Sequence, residues 1–267
     1  MKKKALTLAL ATAAGTSALS AQMIDFPQQY SLSMQMEYES RHVFRGFKQA
    51  DDTFSPSLEI GYGDAYAGWD AYFPTTSQDA QFQEHQLYGG LEFGFPGIDF
   101  LGMDIGTVVY DFPTIADSPD HGNRNRNHEF YGGLLFGNFP NVEGLEFSLY
   151  LRHDADVKHT ILEPGATYQH DFDGPGMVLP IRIRFDAYAG FLSDRKPVRN
   201  YRVLETQEDG YKDSYNYYGG SAQVFFRIDP NATLGFGLHY ADAINQNEDI
   251  QPRDNNVFWK ASLTMGF

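Results

Sequence analysis

From Val257 to Phe267 the chain alternates strictly between apolar side chains and polar or small ones, and this is the pattern that most limits its fold. Val257, Trp259, Ala261, Leu263, Met265 and Phe267 fall on one face of an extended strand, with Phe258, Lys260, Ser262, Thr264 and Gly266 on the other. The same two-residue period occurs near the start. Tyr30, Leu32, Met34, Met36 and Tyr38 oppose Ser31, Ser33, Gln35, Glu37 and Glu39, and Phe54, Pro56, Leu58, Ile60 and Tyr62 oppose Thr53, Ser55, Ser57, Glu59 and Gly61. Pro56 interrupts the last set and predicts a bulge or a locally unpaired site, because proline has no amide hydrogen for a ladder.

Beyond the two near the start, and with the terminal strand included, the candidate strands lie near 65–73, 84–95, 99–111, 128–137, 145–154, 159–171, 181–192, 214–227, 232–242 and 256–267. About twelve strands result, most near the 9 to 11 residues that cross a bilayer at a tilt. The links between them alternate in length. Arg41 to Asp52 reads as long, Gly63-Asp64 as short, Pro74 to Gln83 as long and Pro96-Gly97-Ile98 as short. Phe112 to Asn127 and Ser193 to Asp213 are long, against Asn138 to Gly144 and Ile228 to Asn231; the links at 155–158 and 172–180 fit less well. Long loops at one end and tight turns at the other predict an all-β, transmembrane antiparallel up-and-down barrel with its turns in the periplasm. A soluble sandwich would explain the strands but not the asymmetry.

The N-terminus agrees with export. Lys2, Lys3 and Lys4 precede an apolar run from Ala5 to Ala14, and Ala18-Leu19-Ser20-Ala21 supplies small residues for cleavage before Gln22. The expected division is a signal peptide over 1–21 and a barrel domain over 22–267. No later stretch approaches the roughly 20 apolar residues of a spanning helix. Cysteine is absent, which removes disulfides and thiolate metal sites. Loss of the three lysines takes the formal charge from −15 to −18. So acidic a chain lacks the basic stripe that nucleic acid requires.

Alternation also sorts the charges. The outward sets Leu101, Met103, Ile105, Thr107, Val109 and Ile181, Ile183, Phe185, Ala187, Ala189, Phe191 carry none. Inward fall Glu37, Glu39, Glu59, Asp70, Glu84, Glu92, Asp104, Glu129, Glu146, Glu163 and Asp186, against Arg152, Arg182, Arg184 and Lys260. An acid-rich lumen favours cations. Lys260 is expected level with Glu37 where the last strand meets the first, and Arg182 and Arg184 are expected to fork onto Glu163 or Asp186. Tyr66, Tyr72, Tyr88, Tyr110, Tyr131, Tyr150, Tyr188 and Tyr217 also point inward. They either line a solute path or pack the interior with their hydroxyls on the carboxylates.

Tyr38-Glu39-Ser40-Arg41-His42-Val43-Phe44-Arg45-Gly46-Phe47-Lys48-Gln49-Ala50-Asp51, followed by Tyr66-Ala67-Gly68-Trp69, resembles the TorF-type porin family of Gram-negative outer membranes. His42 stands where that family usually has tyrosine, and Lys48 where it has a small or polar residue. The resemblance implies an outer-membrane pore. Its recurrent Arg-Gly, here Arg45-Gly46, either turns the chain at the outer mouth, with Gly46 at positive φ, or belongs with Arg41 to a basic constriction.

The resulting expectation is a passive, cation-leaning channel for small hydrophilic solutes, with no catalytic step, cofactor or metal. Its partners would be outer-membrane lipid and, through a C-terminal signal ending in Phe267, the barrel assembly machinery; oligomeric state is not legible. Two alternatives stand beside it. One is a non-conducting structural or adhesive barrel. The other is a lipid-modifying hydrolase built on Ser40 and His42, which share a strand face but have no acid beside them on it. The run His153-Asp154-Ala155-Asp156-Val157-Lys158-His159 offers metal donors, but Lys158 within it argues for a solvated loop.

Overall fold

A computed structural model describes residues 30–77, 79–113, 126–139, 142–156, 159–172, 179–194, 214–244 and 257–267. The leader over 1–21, most of the loops expected at 112–127 and 193–213, and Lys158 lie outside the described residues.

The alternating segments form twelve strands: β1 (Tyr30–Phe44), β2 (Phe47–Tyr62), β3 (Ala65–Pro74), β4 (Glu84–Phe95), β5 (Ile98–Asp111), β6 (Arg126–Phe136), β7 (Leu145–Asp154), β8 (His159–Phe172), β9 (Ile181–Asp194), β10 (Ser214–Asp229), β11 (Ala232–Ile244) and β12 (Val257–Gly266). Each pairs antiparallel with the next, and β12 returns to β1, so the sheet is a closed barrel. Closure leaves no edge of unpaired amides and carbonyls, which hydrocarbon would not tolerate. The seam runs in register from Ser33 opposite Gly266 to Glu39 opposite Lys260. Leu32 and Phe267 finish it by exchanging both backbone hydrogen bonds, at 3.2 and 2.8 Å.

The outer face is apolar. Leu87, Leu149, Leu151, Phe185, Leu238 and Trp259 are all exposed there, as lipid contact requires. Outward charges gather at the loop end of the strands, among them the pairs Arg126 with Asp111 at 3.2 Å and His128 with Asp156 at 2.8 Å. Aromatic pairs mark both ends: Tyr30 with Tyr62 at 4.7 Å near the turns, and Tyr38 with Trp259 at 5.2 Å towards the loops. Pro56 sits where expected. The β2–β3 ladder lapses between Phe54, opposite Phe73, and Ser57, opposite Asp70. Pro164 coincides with a similar gap in the β8–β9 ladder.

Inside, tyrosines sit beside glycines on the neighbouring strand. Tyr66 is the cross-strand partner of Gly90, Tyr88 of Gly68, Tyr131 of Gly106, Tyr150 of Gly133, Tyr188 of Gly219 and Tyr217 of Gly190. A β-carbon on any of these glycines would overlap the paired ring. Each ring therefore lies across bare backbone and is held sideways, strand to strand.

The first outer link corrects the expectation of a long loop from Arg41 to Asp52. β1 and β2 run on to Phe44 and Phe47 and are joined by two residues only, Arg45 at φ 50° and Gly46 at φ 83°. Two successive positive φ values are the signature of a tight type I′ hairpin turn. The ladder from β1 to β12 ends at Glu39 and that from β2 to β3 begins at Thr53. Residues 40–52 therefore pair in the sheet only with one another, through Arg41 with Asp51 and His42 with Ala50, then past a register shift to Val43 with Lys48. Freed of the wall, this hairpin bends into the barrel.

Candidate functional site

The site is the lumen, and the hairpin tip crosses it. Val43 packs with Ala241 of β11 and Phe258 of β12, Phe44 meets Tyr110 of β5 edge-on at 5.9 Å, and Phe47 meets Tyr215 of β10 at 4.9 Å. A β-carbon on Gly46 would stand 2.7 Å from the Asp242 carbonyl oxygen, so only glycine lets the turn lie this close to β11. Contacts to β5, β10, β11 and β12 mean that the tip spans the bore.

Its leading side chain is Arg45. One Nη donates to Glu129 on β6, and the other lies 3.5 Å from His159 Nε2 on β8. Glu129 also accepts from Arg152 Nη1 at 3.3 Å and from the Tyr110 hydroxyl at 3.4 Å. Arg152 Nε continues to Glu163 at 3.3 Å, and Glu163 takes the Tyr217 hydroxyl on its other oxygen. Two guanidinium groups and two carboxylates thus balance in a buried quartet, none more than 4% exposed. Burial without such pairing would be prohibitive. Arg45-Gly46 forms the turn, and the Arg45 side chain is directed inward from it. Arg41 stays at the hairpin base, 3.6 Å from Asp51.

At the seam Lys260 donates to Glu37 at 2.8 Å and contacts Glu39 at 3.0 Å. Glu39 is its direct cross-strand neighbour, while Glu37 stands opposite Ser262 and is reached diagonally. His42 Nδ1 lies 2.6 Å from Glu39 beneath the Tyr72 ring. An acid therefore does meet His42, contrary to the sequence expectation. Ser40 is directed elsewhere, since its Oγ accepts the Trp259 amide at 3.0 Å.

The remaining acids follow the walls. Asp104 accepts from Tyr66 at 2.8 Å and Tyr150 at 3.0 Å, and Glu59 from Tyr88 at 3.1 Å. Asp186 collects Arg184, Thr167, Ser221 and Gln223 at 2.7–2.8 Å. Arg182 forks onto Asp171 at 2.6 and 2.9 Å, so of the partners expected for Arg182 and Arg184 only Asp186 is met, by Arg184 through its Nε at 2.7 Å rather than as a fork. Asp70 and Glu84 are buried on β3 and β4, and Glu92 and Glu146 are half-buried nearer the turns. Beyond the hairpin, β2 through β6 present Glu59, Asp70, Glu84, Glu92, Asp104 and Glu129 to the lumen and, among the described residues, no base. The wall's inward lysine and arginines stand elsewhere, on β7, β9, β10 and β12.

The run from His153 to His159 does not converge. His153 meets Thr160 at 3.0 Å, Asp154 meets Asn127 at 3.3 Å, Asp156 takes His128, and His159 turns inward to Arg45. Among the described residues no group of three metal-ligating side chains comes together.

No protein-family model matches the chain, and no curated protein does. Among solved structures, the fold is similar to that of KdgM porin, with a TM-score of 0.50 and 8% identity over 89% of this chain and 99% of that one. The same figures hold for KdgM porin in complex with disordered oligogalacturonate. NanC porin aligns with a TM-score of 0.47 and 10% identity over 88% of this chain and 98% of that one. The chain thus has the architecture of a porin barrel.

Proposed function

We propose that the chain is an outer-membrane channel for the passive diffusion of small hydrophilic solutes, with a preference for cations. The observation that carries this is the inversion of polarity across the wall: an apolar exterior around an interior rich in ionisable side chains. Stability alone does not call for such an interior, since ion pairs in a barrel core are no better than packed hydrocarbon. The likeness of the fold to KdgM porin supports the same reading, as does the resemblance of residues 38–51 to TorF-type porins. KdgM has been captured with oligogalacturonate, a polyanion. An acid-rich wall such as that of β2–β6 repels polyanions, so here the solutes are cations or neutral molecules. In this reading residues 1–21 are removed on export, the turns face the periplasm, and the chain needs neither cofactor nor catalysis.

A second reading, a non-conducting structural barrel, is favoured by the depth of burial. Glu84, Asp104 and Glu129 are each 0% exposed. Purified protein in planar bilayers under a salt gradient separates the two. Discrete current steps with a cation-biased reversal potential support the channel; a correctly folded barrel that passes no current, with or without the hairpin, refutes it.

A further inference from the structure

We infer that the Arg45 guanidinium is a tethered blocking cation: the hairpin of residues 40–52 is an arm that places it in a cation site of the lumen, and free cations take that site when the arm withdraws. The inference rests on the channel reading above and names what occupies the bore at the hairpin tip.

The site is built without Arg45. Glu129 is fixed by the Arg152 Nη1 bond at 3.3 Å and by the Tyr110 hydroxyl at 3.4 Å. Glu163 is fixed by Arg152 Nε and the Tyr217 hydroxyl. His159 completes the rim, with Nε2 as acceptor if it bonds Arg45 Nη1. Removing Arg45 therefore leaves Glu129 with a partner rather than orphaned. One guanidinium then faces two carboxylates, and a neutral quartet becomes a centre of net charge −1. That charge attracts a permeating cation.

The arm can leave without breaking the wall. Its ladder bonds run only within the hairpin, and β12 and β3 are paired with β1 and β2 up to Glu39 and from Thr53. The ion pairs at its base, Arg41 and Lys48 with Asp51, lie within the hairpin and travel with it. The contacts that must open include, at the tip, the Val43 apolar contact, the Phe44 and Phe47 edge contacts and the Arg45 bond to Glu129. Nearer the base they include His42 with Glu39 at 2.6 Å and the Asp51 amide with Asp79 at 3.1 Å, while the Thr75 amide on the Asp52 carbonyl at 2.7 Å marks the hinge. A buried charged hydrogen bond is the strongest of these. Opening and charge selection are in this way one event, since the step that clears the bore also uncovers the excess carboxylate.

Chemical rescue tests this. Full-length protein and its Arg45→Ala variant, each confirmed as folded by the mobility of unheated samples on a denaturing gel, are compared in planar bilayers. Arg45→Ala is expected to raise single-channel conductance several-fold, and millimolar guanidinium chloride to return it towards the parent level while leaving the parent protein unaffected. Adding Glu129→Gln to Arg45→Ala should abolish that block. A third chain, with Arg41 and Asp51 joined by Asn-Gly in place of residues 42–50, isolates the underlying channel. If it conducts while Arg45→Ala matches the parent, or if guanidinium acts equally on parent and variant, the tethered cation is refuted and the channel reading stands. If it is folded and passes no current, both fail.

Discussion

Replacing Lys260 by methionine tests whether the seam depends on one buried cation. Lys260 is 5% exposed and serves Glu37 and Glu39, themselves 5% and 1% exposed, at 2.8 and 3.0 Å. At an effective dielectric of about 20, each contact is worth roughly 6 kcal/mol of Coulomb attraction, most of which only offsets the desolvation of the three charges. Methionine keeps the volume and removes the charge, leaving two carboxylates side by side. Glu39 retains His42 at 2.6 Å, but Glu37 keeps only the Gln35 amide at 3.2 Å. The expected loss is about 3–5 kcal/mol, the usual consequence of stripping one partner from a buried ion pair. In a background carrying Glu37→Gln and Glu39→Gln, the same Lys260→Met change should cost less than about 1 kcal/mol. Urea unfolding of the barrel refolded into lipid vesicles measures both, with Trp259, the outward neighbour of Lys260, as the fluorescent reporter. A loss below about 1 kcal/mol in the parent, or an equal loss in both backgrounds, would refute the shared-cation account.

Gly133→Val should destabilise the barrel by about 1–3 kcal/mol in the same urea assay, because the new side chain overlaps the Tyr150 ring that its cross-strand position holds. Asp104→Asn removes an ionisable inward group from the acidic wall and keeps one amide oxygen to accept from Tyr66 or Tyr150, while the other hydroxyl must turn to accept from the amide nitrogen. The reversal potential should therefore move towards zero; an unchanged potential would remove Asp104 from the ion path. Deletion of Phe267 removes both bonds to Leu32, and the fraction of folded, membrane-inserted barrel should fall while the conductance of what does fold is unchanged.

Most of the wall was legible because a barrel asks one question of each residue, lipid or lumen, and alternation answers it. Lys260 on one face and Trp259 on the other, the inward tyrosines and the charge-free outward set Leu101, Met103, Ile105, Thr107 and Val109 all stand where the two-residue period puts them. The hairpin did not follow that rule. His42 and Val43 are both buried, as are Gln49 and Ala50, because a strand pair inside the lumen is covered on both faces and loses its dyad. One local signal was available: Arg45-Gly46 between Phe44 and Phe47 has the X-Gly form of a two-residue turn. That Arg45 would reach Glu129, across an intervening distance of many residues, depends on the bend at Ser40 and Asp52, which no local pattern encodes. Glu39 finding His42 was hidden for the same reason, since in a straight strand residues three apart face opposite ways.

The tyrosines seated on glycines carry a consequence for engineering. Because each of these six rings is braced by the strand beside it, the wall carries its own lining, like the staves of a cask, and the hairpin adds contacts to it without being its frame. Removing the hairpin would then empty the bore without letting the wall cave in. One short segment at a single turn thus becomes an interchangeable stopper, and a nanopore of chosen width or chemistry could be made by exchanging that segment alone.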